Sequence, residues 1–166
     1  MGWKHCKEAG HVPASLLLGV VALLAGCGSQ VTPTSSTTGL VLDCQTFQSS
    51  VFPLVLNASI NGKTCSAGGC HYINYTTGSG GTTGGGFKID PNAAQNSPEM
   101  QKNYLAASGF ADLNSPANSR LLLKPMGDPS VGGHGGGTII TAGDAYYLIL
   151  YGWLSNQIQG PSACYP

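Results

Sequence analysis

Apolar residues near the end of the chain recur at the spacing of one helix face. The segment after Gly143 places large apolar side chains at three- and four-residue steps: Tyr146, Ile149, Leu150, Trp153 and Leu154. The preceding run Thr141-Ala142-Gly143-Asp144 resembles a capping box, which satisfies the first N–H groups of a helix. The pattern predicts an amphipathic helix of about three turns with a strongly aromatic buried face.

A first helix is predicted near the start of the folded region. Its apolar positions at helical spacing are Phe47, Val51, Leu54 and Val55. Asp43 can cap its start, and Pro53 is expected to break or kink it. The helix is therefore placed at about residues 43–52.

Two more short helices are predicted between the first and the last. Ser97-Pro98-Glu99 combines an N-cap, a proline in the first turn and an acidic residue, which predicts a helix to about Ala107. Ser115-Pro116 repeats this signal, Leu121-Leu122-Leu123 supplies an apolar face, and Pro125 ends the helix.

The loops between these helices are long and rich in glycine. The run GSGGTTGGG, residues 78–86, cannot form a regular element, and no Gly-Lys-Ser/Thr follows it, which excludes a phosphate-binding loop. Four short helices with such loops make an unusual architecture unless the loops wrap around a bound group.

The N-terminus has the features of an export signal. Lys4 and Lys7 give a basic start, and residues 16–24 form an apolar run that is too short to span a bilayer. The run leads into Leu24-Ala25-Gly26-Cys27, which resembles the lipobox of bacterial lipoproteins, where cleavage leaves the cysteine as the acylated first residue. The alternative is a plain secretory signal with an accidental cysteine.

The lipobox divides the chain into three parts. We expect a lipoprotein signal peptide over residues 1–26, a flexible tether over 27–39 that starts at the lipidated Cys27, and the folded domain over 40–166. The mature protein would then lie in the cell envelope, anchored to a bacterial membrane in the periplasm or on the outer face.

Composition and charge do not favour a nucleic-acid partner. Charged residues make up 8% of the 166 residues. Loss of the signal removes Lys4, Lys7 and Glu8, so the seven basic and seven acidic residues become five and six, a formal charge of −1. Nucleic-acid binding calls for a basic face. A small domain with few helix formers also needs support beyond its hydrophobic core.

Four cysteines remain in the mature chain once Cys27 is assigned to lipid. An exported compartment permits disulfides. Cys44 lies in the first predicted helix and Cys164 follows the last, so these two can pair if the two helices pack together. Cys65 and Cys70 are left over, within the run TCSAGGCH.

The run Cys65-x4-Cys70-His71 suits covalent attachment of one haem. Two thiols can form thioether bonds to its vinyl groups, and the adjacent imidazole can bind the iron. The usual signature has two residues between the cysteines, whereas this one has four. Two alternatives stay open, a local Cys65–Cys70 disulfide and a zinc site of Cys65, Cys70, His71 and His134.

His134 lies in the run VGGHGGG. His-Gly-Gly-Gly also occurs in esterases, but the chain contains no Gly-x-Ser-x-Gly nucleophile elbow, so that interpretation fails. A histidine with glycines on both sides can bring its backbone close to a flat, bulky partner.

Residues 43–157 as a whole resemble a single-haem cytochrome c-like domain of exported bacterial lipoproteins. The matching positions are Phe47, Val51, Pro53, Cys65, Cys70, His71, Asn103, Tyr104, residues 119–125, residues 134–137, Tyr147, Leu150 and Trp153. The resemblance implies a mainly α, cytochrome c-like fold of a few short helices around one haem, in which the first and last helices cross. It also implies that the cysteine pair carries the haem and that a loop residue before the last helix binds the iron.

Three residues can supply the second axial ligand opposite His71. We favour His134 over Met126, and Met100 is the weakest candidate because it lies in the first turn of a predicted helix. Seven residues are candidates for the walls of the haem slot, although the more common role of each such residue is ordinary core packing: Phe87, Leu105, Leu121, Leu122, Tyr146, Leu150 and Trp153.

The function predicted from these features is single-electron transfer between redox partner proteins. Protein ligands on both faces of the iron leave no position for a substrate, so we expect an electron carrier and not an enzyme. The main alternative is a non-enzymatic lipoprotein binding module held by two disulfides, Cys44–Cys164 and Cys65–Cys70.

Overall fold

The structure, a computed structural model, describes residues 39–81, 83–160 and Cys164. The predicted signal peptide over 1–26, the lipidation site Cys27 and the tether up to residue 38 lie outside the described residues. Within the described ranges, no helix has the length and apolar character needed to cross a membrane.

The described chain begins with a short strand, β1 (Leu40–Leu42), followed directly by the first helix. The Asp43 carboxylate accepts hydrogen bonds from the N–H groups of Gln45 and Thr46, which caps α1 (Cys44–Thr46). The helix continues as a π-helix over Phe47–Leu56.

Pro53 does not end this first helix, so the predicted boundary at residue 52 is wrong. The π-helix closes with a bond from the Asn57 N–H to the Phe52 carbonyl, five residues back. Its wider turn includes the proline, which an α-helix interior excludes by a lost hydrogen bond and a steric clash.

The capping signals place the other helices well. In α2 (Pro98–Ser108) the Ser97 hydroxyl accepts from the Met100 N–H, and in α4 (Ala145–Ser155) Asp144 accepts from the Tyr147 N–H. The helix predicted from Ser115 is divided into a 3₁₀ turn (Pro116–Asn118) and α3 (Arg120–Leu123). A second 3₁₀ turn covers Pro129–Val131.

Short antiparallel strands connect segments that are distant in sequence. β1 pairs with β4 (Gln157–Gln159), with Leu40 opposite Gln159, so the two ends of the domain lie side by side. β2 (Ser59–Ile60) and β3 (Lys63–Thr64) form a second pair.

The expected mainly α, cytochrome c-like fold is wrong. Among the described residues 37% are helical and 11% lie in small strands and bridges, with four helices, which makes this a small mixed fold. The sequence patterns missed the strands because strands of two or three residues leave almost no alternation to detect.

Three aromatic rings form the centre of the hydrophobic core. Phe47 lies 5.7 Å from Tyr104 and 5.3 Å from Trp153 between ring centres, so one ring comes from each of the first helix, α2 and α4. The Trp153 Nε1–H donates to the Asp43 carbonyl, and the Tyr104 hydroxyl donates to the Leu42 carbonyl. The two polar tips therefore fix the rings against the start of the first helix.

A disulfide joins Cys44 to Cys164, as their positions in the sequence predicted. The two Cα atoms are 5.2 Å apart, and both residues are buried. The bond ties the start of the first helix to the C-terminal end of the chain.

Candidate functional site

One cavity contains all four side chains that the sequence singled out for cofactor binding. Its volume is about 540 Å³, within the range of ~300–1,000 Å³ typical of ligand and cofactor pockets. Cys65, Cys70, His71 and His134 all line it. His134 thus meets three residues that lie 63 to 69 positions before it in the sequence.

A tight turn brings the two cysteines to this cavity. The His71 N–H donates to the Cys65 carbonyl at 2.9 Å, and the Cys70 N–H donates to the Ala67 carbonyl at 2.8 Å. The small residues of the Ser-Ala-Gly-Gly segment allow the chain to reverse within this distance. The four intervening residues are therefore taken up by the turn, and both thiols line the same space.

Both thiols are free in the structure. The Cys65–Cys70 disulfide of the alternative interpretation is not formed. Burial, together with the nearby Cys70 thiol, raises the pKa of Cys65 to about 11. Cys65 is then a neutral thiol at physiological pH, unlike the thiolate that a catalytic cysteine needs.

His71 is held by its Nδ1 atom. This nitrogen lies 2.9 Å from the Phe87 carbonyl oxygen, and the ring contacts the edge of Phe87 with ring centres 4.9 Å apart. Because a carbonyl oxygen only accepts hydrogen bonds, Nδ1 carries the proton and Nε2 has the lone pair. Burial is the main cause that lowers the pKa of His71, which favours this neutral form.

His134 is held in the same way. Its Nδ1 atom lies 2.9 Å from the Gly137 carbonyl oxygen, which again assigns the lone pair to Nε2. Two lysines hold the loop on either side of the histidine. The Lys124 ammonium donates to the Gly133 carbonyl, and the Lys63 ammonium donates to the Gly136 carbonyl.

The two imidazoles lie next to each other. Their ring centres are 6.1 Å apart, and their planes differ by 13°. An imidazole nitrogen binds a metal at about 2 Å, so two imidazoles on opposite sides of one metal ion have ring centres ~6 Å apart. A backbone carbonyl on the second ring nitrogen is the usual support for a histidine ligand. The distance between the two ring centres therefore agrees with that of two histidine ligands on one metal ion.

The other candidate ligands fit less well. Met126 is packed against the hydrophobic core and Met100 is buried in the first turn of α2, and neither is among the described residues that line the cavity. Within residues 39–81, 83–160 and 164, no three His, Cys, Asp or Glu side chains are arranged to hold a metal ion.

The cavity walls are largely apolar and only partly predicted. Of the candidate wall residues, Phe87, Leu121 and Leu150 line the cavity. The others lie elsewhere: Leu122 and Trp153 in the core, Tyr146 against it, and Leu105 with 52% of its surface exposed. The walls that the sequence did not predict are Val55, Leu56, Ile60, Phe110, Ile139 and Ile140. The first of these follow Pro53, where the helix was expected to have ended.

Positive charge is concentrated at the cavity. Lys63, Arg120 and Lys124 are among its lining residues, whereas no aspartate or glutamate is among the described ones. The Arg120 guanidinium lies 5.8 Å from the centre of the Phe110 ring, which also lines the cavity. An occupant with negatively charged groups would be favoured at this rim.

Comparison with known proteins identifies no relative. No protein-family model, no curated protein and no solved structure matches the chain.

Proposed function

We propose that the chain is an exported, lipid-anchored electron carrier with one covalently bound haem. Cys65 and Cys70 would hold the haem through thioether bonds, and His71 and His134 would bind its iron. The observation that carries the proposal is the 6.1 Å separation of two nearly parallel imidazoles, each with Nδ1 bonded to a backbone carbonyl.

The chain's own groups suit this cofactor. Two free thiols line the cavity beside the imidazoles, and addition of a thiol S–H across a vinyl group needs neither oxidant nor reductant. Apolar side chains such as Phe87 and Ile140 favour a flat aromatic ring system, and Arg120, Lys124 and Lys63 can neutralise its carboxylates.

Electron transfer follows from the ligand set. Haem supplies a one-electron couple when bound, and two protein ligands on the iron leave no position for a substrate. Two histidine ligands imply a lower reduction potential than one histidine and one methionine. The lipobox at Leu24-Ala25-Gly26-Cys27 would keep the carrier at a membrane, where redox partner proteins can reach it.

A visible spectrum tests the proposal. Protein produced through export in a host with haem-attachment machinery should show a reduced-minus-oxidised difference spectrum of low-spin haem. A Cys65→Ala, Cys70→Ala variant made in the same way should be colourless. Colourless wild-type protein, correctly exported and folded, would contradict the proposal and favour a non-enzymatic binding module held by the Cys44–Cys164 disulfide.

A further inference from the structure

The glycine-rich loop contacts the edge of His71 that holds the Nδ1 proton. A Cβ atom built at Gly84 would lie 2.4 Å from His71 Nδ1 and 2.6 Å from the Cys70 carbonyl oxygen. Gly84 also has a φ of +81°, a backbone conformation that side chains disfavour. Both the space and the backbone conformation at this position therefore require glycine.

Hydrogen bonds on both sides fix the loop in this close approach. The Thr83 hydroxyl donates to the carbonyls of Gly69 and Cys70, immediately before His71. The Lys88 ammonium donates to the carbonyls of Gly81 and Thr83. The loop therefore cannot move away from His71 without the loss of several bonds.

Backbone hydrogen bonds also hold the segment that follows the glycine-rich loop. The Ile89 N–H donates to the His71 carbonyl at 2.7 Å, and the Ile73 N–H donates to the Ile89 carbonyl at 3.0 Å. Between these fixed points, Phe87 presents its carbonyl to His71 Nδ1. The position of the acceptor depends on how closely the loop packs at Gly84.

We propose that Gly84 is a positioning residue for His71, whose missing side chain lets the loop bring the Phe87 carbonyl to Nδ1 and so keeps the lone pair of the imidazole on Nε2. The role of His71 as an iron ligand rests on the proposed function. The contact of Gly84 with the imidazole does not, because it exists in the chain without any cofactor.

Gly85 provides a matched control. Its φ of +59° is also positive, but a Cβ atom at Gly85 would meet nothing within 4 Å. A difference between Gly84→Ala and Gly85→Ala therefore reports the collision with His71 and the adjacent Cys70 carbonyl, and not the loss of a glycine.

The first measurement uses protein without haem. Nitrogen-15 chemical shifts give the fraction of His71 with its proton on Nδ1. We expect this tautomer to dominate in wild type and in Gly85→Ala, and to lose its dominance in Gly84→Ala. Equal fractions in the two variants would overturn the proposal. If Gly84→Ala does not fold, Thr83→Val is measured in its place, because it removes the bonds to Gly69 and Cys70. An unchanged tautomer fraction in Thr83→Val would equally overturn the proposal.

The second measurement uses haem-loaded protein and added imidazole. Loss of the hydrogen bond that supports a metal ligand typically lowers metal affinity about 10- to 100-fold. Imidazole should therefore displace a histidine from the iron of Gly84→Ala at a correspondingly lower concentration than in wild type. Gly85→Ala should resemble wild type. Equal displacement in both variants would contradict the positioning role. If no preparation holds haem, the proposed function fails, and the tautomer comparison alone decides the role of Gly84.

Discussion

His71 and His134 lie with their imidazole ring centres 6.1 Å apart and their planes 13° from parallel. In each ring, Nδ1 is bonded to a backbone carbonyl, of Phe87 in one case and Gly137 in the other. Two histidines that are 63 positions apart in the sequence thus line one cavity. The proposed haem site rests on this pairing more than on the cysteine spacing.

The choice of the second axial ligand can be tested with two alanine variants. His134→Ala should lose the low-spin, six-coordinate spectrum, because no other described side chain at the cavity replaces it, whereas Met126→Ala should keep that spectrum. Electronic absorption of each purified variant is sufficient for the comparison. Loss of the low-spin signature in Met126→Ala alone would assign the position to the methionine.

The lysines that flank His134 should influence how firmly its loop is held. Lys124→Met removes the bond to the Gly133 carbonyl, and the partly exposed bond is worth about 1 kcal/mol. Hydrogen exchange of the Gly137 amide, which donates to the His134 carbonyl, should therefore become ~5-fold faster.

Lys102→Met is the matched control for that experiment. Its ammonium lies over the Tyr75 ring, 5.1 Å from the ring centre, and it is not among the cavity-lining residues. The Lys102→Met substitution removes the same charge but does not remove a bond to the His134 loop. Equal acceleration of Gly137 exchange in both variants would refute the role of Lys124.

Cys65 should react slowly with alkylating reagents in the folded protein without haem. With a pKa of about 11 in place of the ordinary 9.0, the thiolate fraction at pH 8 falls roughly 100-fold. In the Cys70→Ala variant, Cys65 is the one free thiol among the described residues, so its rate can be followed there with burial as the remaining cause of the raised pKa. A rate equal to that of a cysteine peptide would show that burial does not hold this thiol neutral.

The raised pKa of Cys65 also makes the stability of the folded protein depend on pH. A raised pKa means that the folded state keeps its proton between about pH 9 and 11 while the unfolded state loses it. The contribution of Cys65 to the free energy of unfolding is therefore complete below about pH 9 and decreases as the pH rises through that range. Urea unfolding at pH 7 and pH 10 should therefore show a larger decrease in the free energy of unfolding for wild type than for Cys65→Ala.

The disulfide should make a large contribution to stability. It closes a loop with a sequence separation of 120 residues, so Cys44→Ala, Cys164→Ala should lower the free energy of unfolding by ~2–5 kcal/mol. Peptide mapping without reduction should find the two cysteines linked. As a control, a reductant should destabilise wild type and leave the double variant unchanged. Free thiols at both positions in native protein would contradict the pairing.

Local sequence signals predicted those parts of the fold that depend on local contacts. Ser97 and Asp144 cap α2 and α4 where expected, because a cap involves only the next three residues. Pro53 misled the prediction, since the π-helix around it has no sequence signature of its own. The pairing of β1 with β4 was invisible for a different reason, because it joins the two ends of the domain through three-residue strands.

The sequence predicted the histidines and cysteines of the candidate site but few of the apolar residues that form its walls. Cys65, Cys70, His71 and His134 could be selected because few side chains bind metals or form thioethers. Phe110 and Ile140 could not, because an apolar residue that lines a cavity has the same pattern as one that fills a core. Gly84 lies in a run of glycines, and only the structure shows which of them touches His71.

The intact mass of the exported protein after acid denaturation tests the central claim most directly. A haem held only by axial histidines is released in acid, whereas one bonded to Cys65 and Cys70 stays with the chain. Protein matured in a host with export and haem-attachment machinery should exceed the mass of its processed chain by one haem. The unmodified chain mass in correctly exported protein would contradict covalent attachment and with it the proposed function.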